Sequence, residues 1–96
     1  MNRRIRGFIA TPSGARIPVL VSFQKSPSLP AYSHIGQIPI PNPWLEEFET
    51  DIRRFHFRGE DGECFTQIHV LDEYHDDVGT PIKVGRLILL QDHLPQ

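Results

Sequence analysis

Six residues between positions 64 and 77 bring together thiol, imidazole and carboxylate side chains: Cys64, His69, Glu73, His75, Asp76 and Asp77. Imidazole and carboxylate groups suit zinc or another divalent ion. The five-residue gap between His69 and His75 matches no metal signature, and a strand would carry His69 well away from the loop that holds the acids. No metal site is expected. A cysteine with a histidine can form a nucleophilic pair. On a strand, however, Cys64 and His69 have opposite parity and point to opposite faces. Ser33-His34 has no carboxylate with reason to converge on it. The seven glycines are scattered, with no phosphate-binding spacing. No catalytic residue and no cofactor emerge, so a non-enzymatic protein is expected, with a small metal-assisted enzyme as the remote alternative.

A second group invites binding instead. Arg54, His56, Arg58, Gln67 and His69, with Phe65, fall on one face if residues 52–74 form a hairpin turning at Asp61-Gly62. Guanidinium groups for phosphate and a ring for stacking make a single-stranded nucleic-acid surface. The plainer reading is the solvated side of a one-sided antiparallel sheet.

The hairpin rests on Asp-Gly between two alternating β-rich runs, a strong two-residue turn signal. It pairs Phe57 with Thr66 and Phe55 with Ile68. Phe55, Phe57, Cys64, Thr66, Ile68 and Val70 then share a core face. A slip of one residue would mix polar and apolar side chains on both faces.

Residues 4–24 read as an earlier hairpin turning at Pro12-Ser13-Gly14. Ile9 lies opposite Ile17, Gly7 opposite Val19 and Ile5 opposite Val21. Ile5, Ile9, Ile17, Val19, Val21 and Phe23 form its apolar face. The reverse face holds Arg6, Phe8, Arg16, Pro18, Leu20 and Ser22. It is half apolar, so a partner surface of Arg6, Phe8, Arg16 and Leu20 is expected, covered by another protein or by a second copy in a homodimer. Pro18 cannot donate to a ladder and marks an edge or bulge.

Residues 25–43 form a proline-rich connection, extended and interrupted by a short third strand over 34–40. Asn42-Pro43 starts a helix of about two turns, with Asn42 as its cap and Trp44, Leu45 and Phe48 on its core face. Residues 82–90 make a last strand whose run Leu87-Ile88-Leu89-Leu90 places it centrally in the sheet. Residues 91–96 should fray.

Composition sets the outer limits. The chain has 96 residues, 39% hydrophobic and 23% charged, which fits one small domain over 1–96. Nine prolines favour strands and loops over helices. The fold class is mainly β: five to six antiparallel strands with one short helix, barrel-like on a plan similar to the OB-fold, or an open sheet. A lone cysteine excludes an internal disulfide and fits a reducing, cytoplasmic setting. No apolar run reaches membrane-spanning length. The net charge of −2 hides an asymmetry. Residues 1–45 hold Arg3, Arg4, Arg6, Arg16 and Lys25 and no acid, while residues 46–96 hold all twelve acids. Such a split points to a charged partner, or to two halves that neutralise each other. The leading expectation is a small intracellular binding or regulatory module acting through protein contact or self-association, with single-stranded nucleic-acid binding as the alternative. Neither the partner, the oligomeric state nor the biological process is legible at this level.

Overall fold

Alternation in the two halves of the first hairpin builds the sheet's centre. The protein, here a computed structural model, is described over residues 3–25 and 32–92. Strand β1 (Arg3–Ala10) pairs antiparallel with β2 (Arg16–Lys25), matching Ile5 with Val21, Gly7 with Val19 and Ile9 with Ile17. This is the register expected from the sequence. The Thr11 N–H donates to the Ala15 carbonyl, the Ala15 N–H returns a bond to Thr11 Oγ1, and Gly14 takes φ 89°. Ile5, Ile9, Val21 and Phe23 are buried, and Ile17 and Val19 pack against them.

The remaining elements are β3 (Tyr32–Pro39), α1 (Leu45–Thr50), β4 (His56–Gly59), β5 (Thr66–His75) and β6 (Pro81–Asp92), with single 3₁₀ turns at Asn42–Trp44 and Ile52–Arg54. Six strands form one antiparallel sheet in the order β4-β1-β2-β3-β6-β5, curled into a half-barrel. The OB plan has five strands; this sheet has six.

β6 lies between β3 and β5, which explains its near-continuous apolar run: Leu87, Leu89 and Leu90 are all buried. β3 meets β2 only at Phe23, Gln24 and Lys25. Among the described residues Pro18 therefore falls on a stretch of β2 with no strand on that side, where a missing N–H costs nothing. The proline-rich connection thus contains a full strand. Pro27 and Pro30 lie outside the described residues, as do 93–96; of the 91–96 expected to fray, Gln91 and Asp92 instead extend β6, paired with His34 and Tyr32.

The helix begins at Asn42-Pro43 as expected, but the Asn42 side chain caps nothing; Pro41 leads in with an extended backbone. Phe48 is fully buried, whereas Trp44 is only half-buried at the core's margin. Two polar ties hold α1 in place. The Ser13 N–H donates to Glu47 Oε1 at 2.9 Å, and Lys83 on β6 pairs with Glu49. The Glu49 hydrogen bond keeps the Lys83 ammonium above its ordinary range.

The central hairpin does not form. β4 pairs with β1, matching Gly7 with Gly59 and Ile9 with Phe57, and β5 pairs with β6 along its whole length. A turn does form at its expected tip, with Gly62 at φ 76°, but the Gly62 N–H bonds the Gly59 carbonyl, so its central pair is Glu60-Asp61 rather than Asp61-Gly62. Residues 62–65 then run without regular structure into β5, whose facing is set by its pairing with β6. Ile68 is accordingly 43% exposed and Cys64 is exposed, where both were expected in the core. Phe65 turns inward instead, stacking on Phe23 at 5.3 Å and meeting Phe57 edge-on at 5.7 Å.

β4 and β5 still meet, as the two rims of the curled sheet. The Phe57 N–H donates to Gln67 Oε1, and Gln67 Nε2 donates to the Phe57 carbonyl, both at 2.8 Å. One side-chain amide thus replaces a strand's backbone at the seam. His69 Nε2 adds a contact of 2.7 Å to the Phe55 carbonyl. These bonds occupy groups that would otherwise template edge pairing. Gln67→Leu keeps the bulk and strips both bonds, so it should cost about 1–3 kcal/mol. Urea unfolding checks this; an unchanged midpoint would mean that the seam is held by packing alone.

Candidate functional site

The site is built on the convex side of β4, β1 and β2. Residues of even number in β1 and β2 point away from the core because their odd-numbered neighbours fill it. This places Arg6, Phe8, Arg16, Pro18 and Leu20 together, as the sequence predicts. They line a shallow groove of about 760 Å³ that ends at Glu60 beyond β4. Leu20 is 53% exposed. The Arg16 guanidinium lies 4.8 Å from the centre of the Phe8 ring, a cation–π contact that holds both along the groove wall.

A smaller cleft of about 470 Å³ adjoins it, where Arg3, Arg4 and Arg6 face Glu60, Asp61 and Glu63. Closeness there does not become pairing. Among the described residues the ion pairs are Arg54–Asp51, Lys83–Glu49 and Arg86–Asp72. All of them lie within residues 46–96. Among the described residues no arginine of the first half lies within ion-pair distance of an acid of the second.

The expected basic face is divided. His56 lies opposite Ala10 and Arg58 opposite Phe8, so both join the convex side beside the groove. Arg54 sits in a 3₁₀ turn and pairs with Asp51 at 3.2 Å. Phe65, Gln67 and His69 face inward, with Phe65 in the core and the other two at the seam. The structure thus sets Arg58 and His56 on the side of Phe8 and away from Phe65, though the His56 ring still meets His69 edge-on at 6.1 Å.

Sequence reasoning missed one surface. From Glu73 to Ile82 every residue of the β5–β6 hairpin end is exposed. Tyr74 is 55% and Val78 85% exposed, and Ile82 and Val84 lie bare beside them. Their neighbours are Glu73, Asp76 and Asp77, and the density of acids hid the apolar residues. The loop is nonetheless ordered by its own bonds. Asp76 Oδ1 accepts from the Val78 N–H at 3.0 Å and from the Thr80 N–H at 2.8 Å.

The described residues contain no group of three or more His, Cys, Asp or Glu placed to hold a metal ion. Nor do they contain a helix long and apolar enough to cross a membrane. No protein-family model, curated protein or solved structure matches the chain.

Proposed function

We propose that the chain is a small non-enzymatic binding module that takes a protein segment in the groove of its first hairpin. One observation carries this: Phe8, Pro18 and Leu20 form an apolar floor facing solvent, set among arginines with no ion partner among the described residues. Apolar side chains supply non-directional affinity, and the unpaired guanidinium groups select charge. The segment that fits is short and acidic, with at least one aromatic or branched apolar anchor. Single-stranded nucleic acid fits less well. The arginines remain, but Phe65 is not beside them, and Glu60, Asp61 and Glu63 border the same surface.

The test is selection of random peptides on the immobilised chain with counter-selection on Leu20→Glu. Peptides mixing acidic and aromatic or branched apolar residues are expected, with binding that weakens as salt rises. Recovery of no peptide that depends on Leu20 would end this reading.

A further inference from the structure

We infer that this chain assembles head to tail, the acidic end of the β5–β6 hairpin of one copy seating in the β1–β2 groove of the next. The inference rests on the groove reading above and names its occupant. The hairpin end has the composition that the groove selects: Glu73, Asp76 and Asp77 for the arginines, Tyr74 and Val78 for the apolar floor. Each surface is left open within its own chain. The groove's Leu20 and the hairpin's Val78 are both exposed, and Arg6, Arg16 and Asp77 form no ion pair among the described residues, while Glu73 faces Lys83 across the ladder.

The contact is between copies because the two surfaces do not cover each other within one chain: Leu20 and every residue from Glu73 to Ile82 are exposed. The molecule extends 51 Å along its longest axis and only 20 Å along its shortest. Charge then selects the pairing. A twofold axis through either patch alone would set arginines on arginines or carboxylates on carboxylates, and a reciprocal twofold, each hairpin end in the other copy's groove, would stop at a dimer. A heterologous contact joins opposites, and because donor and acceptor surfaces both stay available it repeats into a ring or a filament. The charge asymmetry between the halves thereby acquires a role.

The experiment uses the full chain in sedimentation velocity across a concentration series, at low and high salt. Two charge-reversed variants are compared: Arg6→Glu with Arg16→Glu, and Asp77→Lys with Val78→Lys. Among the described residues none of these side chains joins a buried cluster or an ion pair, and circular dichroism confirms that each variant folds. Wild type should show mass rising with concentration and falling with salt. Each variant alone should associate about tenfold or more weakly, and an equimolar mixture of the two should recover association. A monomeric wild type, an assembly indifferent to Asp77→Lys with Val78→Lys, or a mixture that fails to recover would each overturn the inference. If Leu20-dependent peptides still bind in those cases, the groove reading stands and only its occupant is wrong.

Discussion

Phe48→Ala should destabilise the protein by about 3–5 kcal/mol, the range for emptying a buried aromatic site. Phe48 is fully buried and meets Phe55 edge-on at 5.1 Å. The site is also shaped for it from the opposite side. β6 carries Gly85 there, and a Cβ at that position would lie 2.8 Å from the Phe48 ring. Glycine has no side chain to move into the void. The loss also reaches α1. A helix of six residues has no independent stability, and Phe48 is its one buried residue. Without the ring, α1 keeps only the Glu47 and Glu49 ties, which are exposed and weak. For a small domain with about 5–15 kcal/mol in total, such a loss moves the unfolding midpoint far toward native conditions. Phe48→Leu, which retains most of the volume, should lose much less. Equal denaturation midpoints for Phe48→Ala and wild type would show that the core closes without the ring.

The first hairpin is legible in the sequence because its two strands, its turn and its apolar face are consecutive in the chain and agree with one another. The same pattern yields the outward set Arg6, Phe8, Arg16 and Leu20, and so the groove. Residues 55–71 have no such agreement. Two apolar series run there in opposite parity, Ile68 with Val70 and Phe65 with Leu71, and local alternation cannot say which one faces the core. That is decided by β1, which takes β4 as its outer neighbour, and by β6, which takes β5. β1 is distant in sequence from β4; β6 follows β5 directly, but its run Leu87-Ile88-Leu89-Leu90 has no alternation to settle the face. Gln67 and His69 likewise look like surface polar groups, because a side chain that substitutes for a missing strand leaves no periodic mark. The hairpin end is hidden for a different reason: acids flank Tyr74 and Val78 so densely that the stretch reads as a solvated loop.

Gly7→Ala sets two known effects against each other, and their sizes predict the winner. Alanine in place of glycine in regular structure ordinarily gains about 0.5–1 kcal/mol by restricting the unfolded chain. At this position the added methyl has nowhere to go. It would collide with the Arg58 carbonyl oxygen and come within 2.7 Å and 2.9 Å of the Phe57 ring. A side chain can rotate aside, but the Arg58 carbonyl is backbone, so β4 itself must shift from β1. Overpacking of this kind costs about 1–3 kcal/mol, and more where backbone must move, which outweighs the entropic gain. The displacement should also spread in a defined direction. β4 carries Phe57, whose N–H and carbonyl both bind Gln67, so moving it loosens the seam to β5. It also carries Arg58 and leads into Glu60, at the rim of the groove. Gly7→Ala is therefore expected to lower the denaturation midpoint, to speed amide hydrogen exchange at Phe57 ahead of the β1–β2 ladder, and to weaken Leu20-dependent peptide binding. A stabilised Gly7→Ala variant with unchanged exchange at Phe57 would mean that β4 does not approach β1 this closely.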